Sequence, residues 1–191
     1  MDPKKLRKNY MQLMPQLNKA LKHVQTQLAD LPPSDFTLET NLKPYTSVKR
    51  KMETDGVREP GELSDLARGR IFFSEQFNFE DVLDIVQKLF GKQMGKVEKN
   101  NHNSSEHGLK YHGVAHININ VDGTNFELQI MPSEFKPHKD LLHQIYEKFR
   151  NPKELGKMSD HQKNFLRKTH NELYKKINDQ AVANRTPKEE D

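Results

Sequence analysis

At 191 residues the chain is long enough for one domain with a sizeable core and short for two. Hydrophobic residues make up 33% and charged residues 30%, with a net charge of +4; that mild excess suits an anionic ligand better than a general nucleic-acid coat. The absence of cysteine excludes disulfides, thiol catalysis and cysteine-ligated zinc, and no apolar run approaches membrane-spanning length.

The first residues, Met1-Asp-Pro-Lys-Lys-Leu-Arg-Lys8, carry no apolar signal core, so a cytoplasmic protein is expected, with delivery as a secreted effector or toxin left open. Residues 4–29 read as one amphipathic helix, with Leu6, Tyr10, Leu13, Leu17, Leu21, Val24 and Leu28 at three- or four-residue intervals, closed by Pro32-Pro33. This helix is read as packing or oligomerisation surface. A short linker leads to Phe36 and Leu38, and a helix then opens near Pro44 and stops near Asp55-Gly56 and Pro60-Gly61. Leu66 to Phe73 is a strand candidate, Phe79 to Met94 a helix, and Val97 the start of a short strand. Residues 100–108 are polar and read as a mobile loop. Two alternating runs, Ile117/Ile119/Val121 and Phe126/Leu128/Ile130, flank Asp122-Gly123 and read as a hairpin. Helices over 136–150 and about 159–179 follow. The expected organisation is an N-terminal helix and linker (1–33), a main domain (34–183) and a disordered tail (184–191). The fold class is α+β, a mixed four- to five-stranded sheet flanked by helices.

The chemistry-bearing pattern begins at Lys43-Pro-Tyr-Thr-Ser47-Val-Lys-Arg-Lys51. The spacing stacks Ser47 and Lys51 on one helix face and sets Lys43 beside the exposed amides of that helix's N-terminus, an arrangement suited to a polyphosphate. Asp65 stands at the start of the strand run, and Glu127 and Gln129 share the polar side of a second strand. Two carboxylates on neighbouring strands can share one Mg²⁺ with phosphate oxygens, although a Glu and Gln on an open sheet face are often only solvated. Arg68 and Arg70 share a strand face, whereas Asp65 has the opposite parity; either a bulge at Gly69 resolves the conflict, or one arginine is purely structural, or both are solvated at a sheet margin. Tyr111 reads either as a base-stacking platform or as a strand-edge residue covering the core. His102, His107, His112 and His116 cluster in sequence without the spacing of a zinc site. On the 136–150 helix, Lys139, His143 and Arg150 are candidate phosphate contacts if that helix lies beside the sheet's polar face, and His143 can alternatively pair with Glu147 one turn on.

These residues resemble the synthetase domain of the RelA/SpoT family, the nucleotide pyrophosphokinases that make guanosine alarmones. The resemblance runs from about Lys43 to Arg150 and rests on three ordered blocks: Lys43-x-x-x-Ser47-x-x-x-Lys51-Met52, Asp65-x-x-x-x-Arg70-Ile71 and Glu127-x-Gln129-Ile130. It implies a nucleotidyltransferase-like fold. It implies that Lys43, Ser47 and Lys51 bind the ATP phosphates, and that Asp65 and Glu127 hold Mg²⁺. Glu127 is also implied as base for the attacking 3′-hydroxyl, and Arg70 as a neutraliser of developing charge. Tyr111, with Gln129 and His116, would receive the guanine nucleotide acceptor, GDP or GTP; Arg68 joins the candidate phosphate contacts.

The departures are Asn41, where the family commonly has arginine two residues before Lys43; Arg68, where a small residue is usual; Lys110-Tyr111-His112-Gly113-Val114-Ala115-His116, a faint echo of the family's Asn-Gly-Tyr-Gln-Ser-Leu-His; and Met131-Pro132 after Gln-Ile. They cluster at base-recognition positions, so donor chemistry is better specified than the acceptor. The expected activity is pyrophosphate transfer from ATP to the ribose 3′-hydroxyl of GDP or GTP. Two rivals stand beside it: a toxin-type enzyme acting on adenine nucleotides or tRNA 3′ ends, and an inactive nucleotide-binding module.

Overall fold

The computed structural model describes residues 2–99, 108–110 and 113–185. Helix α1 (Pro3–Leu28) starts where Asp2 caps it, the carboxylate accepting from the Lys4 N–H at 2.9 Å with Pro3 in the first turn. It buries Leu6, Tyr10, Leu17, Ala20, Val24 and Leu28. The stretch holding Phe36 and Leu38, to which the sequence assigns no element, is a strand, β1 (Phe36–Leu42). Its alternation, Phe36/Leu38/Thr40/Leu42 against Thr37/Glu39/Asn41, is legible once one looks for period two.

Helix α2 (Tyr45–Asp55) ends at Gly56, whose φ of 68° places it in the left-handed region glycine favours. β2 (Ala67–Phe73) follows. α3 (Phe79–Phe90) opens with a reciprocal Asn78/Asp81 capping box. It ends four residues before the expected Met94, because Gly91, at φ 49°, breaks the helical path. A 3₁₀ turn then leads into β3 (Met94–Lys99). The hairpin stands as expected: β4 (Ala115–Val121) and β5 (Thr124–Pro132) are joined by Asp122 and Gly123, both at positive φ (50° and 83°), the twist a two-residue turn requires. A 3₁₀ segment, Ser133–His138, precedes α4 (Lys139–Arg150), α5 (Pro152–Lys157) and α6 (Asp160–Arg185).

The strands form one mixed sheet in the order β1-β2-β5-β4-β3. The central β2 and β5 are parallel and the other pairs antiparallel. One face packs its Ala67, Ile71, Phe73, Phe126, Leu128 and Ile130 side chains into a large core with α1 and α3. The opposite face is apolar only at one end, where Phe72 and Met131 meet Phe135, Leu142 and Ile177 beneath α4 and α6. Its other end carries polar side chains.

α6 runs past its expected end near 179, so Asn184 and Arg185, expected in the tail, are helical. Arg185 explains the extension. Its guanidinium donates to the carbonyls of Phe77 (2.9 Å), Phe73 (3.2 Å) and Ser74 (3.1 Å), pairs with Glu134 at 2.9 Å and lies 4.9 Å from the Phe73 ring centroid. Both partners of the ion pair are largely buried. Burial alone would raise the Glu134 carboxyl, but Arg185 and Asn184 outweigh it and hold the pKa below its usual value. Arg185→Ala is expected to cost about 3 kcal/mol of folding free energy, since it strands Glu134. The exposed-pair control Lys175→Ala should change stability by less than about 0.5 kcal/mol. Urea unfolding of the two variants measures the difference.

Candidate active site

The Lys43/Ser47/Lys51 ladder falls where its spacing predicts. α2 opens at Tyr45 with no side-chain cap from Pro44, and Val48 and Met52 face the core while Ser47 and Lys51 are half-buried. Lys43, just before the helix, is only 4% exposed. Its backbone is tied on both sides: its N–H donates to the Leu66 carbonyl at 2.8 Å, and its carbonyl accepts from the Tyr10 hydroxyl at 2.6 Å. The N-terminal helix thus contributes packing and also sets the position of the first ladder residue.

Lys43 and Lys51 converge on one atom. Their Nζ groups lie 2.7 Å and 2.9 Å from Asp65 Oδ2. The other carboxylate oxygen, Oδ1, is buried without a hydrogen-bond partner, a condition that costs roughly 1–3 kcal/mol unless a ligand relieves it. Burial would raise the Asp65 carboxyl, but hydrogen bonds and charge from Lys43 and Lys51 outweigh it and keep the pKa below its ordinary value. Burial likewise pulls the Lys43 ammonium down, against Asp65. The parity conflict disappears because Asp65 lies in the turn before β2, outside the strand's alternation. No bulge forms at Gly69: β2 stays in register with both neighbours. A side chain there would come within 3.0 Å of the Phe126 ring and 3.1 Å of the Glu39 carbonyl, so close packing is what the glycine serves.

Two cross-strand rows occupy the polar face. Asn41, Arg68, Glu127 and Asn118 lie opposite one another across four strands, as do Glu39, Arg70, Gln129 and His116. Arg68 Nε donates to Asn41 Oδ1 at 2.9 Å. Arg70 Nε donates to Gln129 Oε1 at 2.8 Å, and Gln129 Nε2 donates to Glu127 Oε1 at 2.8 Å. Burial, with the Arg68 charge adding to it, lowers the Arg70 pKa, while Glu39, Tyr174 and Glu127 oppose the shift.

α4 does lie beside this face. Its Lys139 is clasped by both oxygens of Glu39 and sits 5.7 Å from the Phe72 ring centroid, so its charge is already matched. His143 Nε2 is 3.8 Å from Glu147, which also takes Arg50 of α2. Burial pulls the His143 imidazole below its ordinary pKa; Glu147 opposes this, and Arg70, Arg68 and Arg50 add to it, favouring the neutral ring. Arg150 closes the C-terminal turn, 5.9 Å from the Tyr146 ring centroid. Tyr111, His102, His107 and His112 lie outside the described residues. Among the described residues no group of three or more His, Asp or Glu side chains could hold a metal by itself; a Mg²⁺ shared between Asp65, Glu127 and phosphates needs no such group. The orphaned Asp65 Oδ1 fits that metal.

Sequence reasoning missed Tyr10, Glu39 and the Arg50–Glu147 bridge. Glu39 was findable through the alternation of β1; the other two depend on tertiary packing.

No protein-family model matches the chain, and no curated protein does. Solved structures do. Small alarmone synthetase 1 from Bacillus subtilis, bound to its product pppGpp, superposes with a TM-score of 0.62 at 17% identity over 93% of this chain and 97% of that one. The fold is that of the small alarmone synthetases. A GTP pyrophosphokinase family protein from Streptococcus pneumoniae gives a TM-score of 0.59 at 18% identity, covering 95% and 92% of the two chains. A chain from the complex between the type VI effector Tas1 and its immunity protein gives 0.60 at 16%, covering 94% and 99%. The described helices include none long and apolar enough to cross a membrane.

Asp65→Asn should cost about 3 kcal/mol at neutral pH, because it leaves Lys43 buried beside a neutral amide. A carboxyl whose folded pKa lies below its unfolded one stabilises above the unfolded value and loses that contribution as it is protonated. The gap between variant and unmodified protein should therefore narrow as pH falls below about 4. Chemical denaturation at pH 7 and pH 3 checks this; an equal gap at both would show that the Asp65 charge does not stabilise the fold.

Proposed function

We propose that the chain is a nucleotide pyrophosphokinase, transferring the terminal pyrophosphate of ATP to the ribose 3′-hydroxyl of GDP or GTP. The observation that carries this reading is Asp65: one oxygen is gripped by two lysines, the other is buried and unpartnered, and the strand that follows it runs beside the one bearing Glu127. Polyphosphate oxygens can replace Asp65 on the lysines, and a divalent cation can take the carboxylate they release.

Transfer of this kind depends on alignment and charge neutralisation more than on covalent catalysis. Lys43, Lys51 and Ser47 grip the donor phosphates at the N-terminus of α2. Asp65 and Glu127 would hold Mg²⁺, which when bound supplies neutralisation of the phosphate oxygens. Glu127 takes the proton of the 3′-hydroxyl as its oxygen attacks the β-phosphorus of ATP; the bridge to the α-phosphate breaks and AMP leaves. Arg70 offsets charge on the transferring group. Tyr111 and His116 belong to the acceptor side, and the protein acts in the cytoplasm as a monomer or homo-oligomer.

A second reading, a toxin-type enzyme using adenine nucleotides or tRNA 3′ ends, is favoured by the equal likeness to a chain of the Tas1 complex. The inactive-module alternative is tested alongside it. The assay is γ-labelled ATP with Mg²⁺ and GDP, GTP, ATP or tRNA supplied separately. Label on GDP or GTP with release of AMP is the expected outcome; label on ATP or tRNA selects the second reading, and a steep salt dependence marks tRNA. Label on no acceptor, with no AMP formed, sinks both enzymatic readings. Glu127→Gln should lower transfer by at least about 100-fold at unchanged melting temperature; full activity in that variant removes Glu127 from the mechanism.

A further inference from the structure

The polar face contains a short hydrogen-bonded chain whose direction is dictated by chemistry. Arginine has only donors, so the Gln129 atom facing Arg70 Nε at 2.8 Å must be its carbonyl oxygen. The amide is thereby fixed, and its NH₂ faces Glu127, whose Oε1 accepts at 2.8 Å. Residues 127 and 129 are two apart on β5 and so share a face. Arg70 lies directly across the parallel ladder from Gln129. Arg70 is half-buried, and Glu39 stands across from it on β1 while Lys139 balances Glu39. The guanidinium is held within the sheet face, on elements already fixed by the ladder.

We infer that Gln129 is a positioning residue for Glu127 and does not recognise the acceptor: Arg70 sets the amide, and the amide holds one oxygen of the Glu127 carboxylate, leaving the group's orientation fixed before any ligand arrives. Both ends of the Gln129 amide are engaged in this chain. Arg70 takes one lone pair of the amide oxygen and Glu127 one of its two N–H groups, so the plane and direction of the amide are set by these two partners. Hydrogen bonds behind a metal-binding or proton-accepting group set its direction, and their loss generally costs about 10- to 100-fold in activity or metal affinity.

The inference rests on the proposed role of Glu127, and the test separates the two. Gln129→Met keeps the length of the side chain and removes both hydrogen bonds. It should lower kcat about tenfold and raise the Mg²⁺ concentration for half-maximal rate several-fold. The KM for GDP or GTP should stay within about twofold and the melting temperature unchanged. Gln129→Glu, which still accepts from Arg70 but sets a carboxylate against Glu127, should be slower than Gln129→Met. A raised acceptor KM with kcat and Mg²⁺ dependence unchanged would assign Gln129 to acceptor recognition and overturn the inference; so would a Gln129→Met enzyme indistinguishable from the unmodified one. If the unmodified protein transfers pyrophosphate to nothing, the functional reading fails and Mn²⁺ titration by electron paramagnetic resonance with ATP present decides this one. Weaker Mn²⁺ binding in Gln129→Met supports it, while equal binding, or none by the unmodified protein, overturns it.

Discussion

The site depends on one arrangement: the buried carboxylate of Asp65 between two ammonium groups, Lys43 just before α2 and Lys51 in its second turn. Burying three charges together is expensive, and an ion pair in such a setting is retained only where its geometry is good. Here the geometry comes from the backbone. Tyr10 and Leu66 hold Lys43 from opposite sides, α2 carries Lys51, and the turn before β2 delivers Asp65. The cluster therefore joins α1, α2 and the first central strand at one point. Oδ1 of Asp65, buried without a hydrogen-bond partner, is the atom of this cluster that the proposed reading gives to a ligand.

The sheet separates stability from chemistry by its two faces. The face against α1 and α3 is apolar along the whole of β2 and β5 and supplies the main core. The other face is apolar only beneath α4 and α6, and its remainder is a grid of Asn, Arg, Glu, Gln and His side chains held in register by the ladder. Because side chains alternate strictly across a strand, neither set can drift to the other face without breaking every pairing. Rigid strands thus hold Glu127, Gln129 and the two arginines.

How much of this the sequence discloses follows from whether a feature is local. The ladder on α2, the Asp122-Gly123 hairpin, and the sharing of a face by Glu127 and Gln129 are consequences of spacing alone, and all three stand in the structure. β1 is less plain, because its apolar side is only Phe36, Leu38 and Leu42, interrupted by Thr40, and the end of α3 turns on the backbone that Gly91 adopts at φ 49°. The end of α6 is not local at all: Arg185 holds it through carbonyls more than 100 residues away in sequence, and no window of sequence contains that information. Asp65 illustrates the same boundary from inside the site. Its identity as a phosphate-side carboxylate was legible, but its parity conflict with Arg70 arose from assigning it to the strand when the chain reaches β2 only two residues later.

On the proposed reading, the Lys43–Asp65–Lys51 cluster also constrains how ligands would enter. Lys43 and Lys51 cannot leave Asp65 for phosphate without leaving a buried carboxylate uncompensated, which is costlier than any surface pair lost. Asp65 would hold a cation arriving with the phosphates, whose divalent charge would compensate the carboxylate while Lys43 and Lys51 turn to phosphate oxygens. A metal-free polyphosphate would have to expose Asp65 unpaired, and a metal alone would face two lysines with no anion to receive them. On the proposed reading, nucleotide and metal would therefore enter more cheaply together than apart, with Asp65 exchanging its lysine partners for the cation.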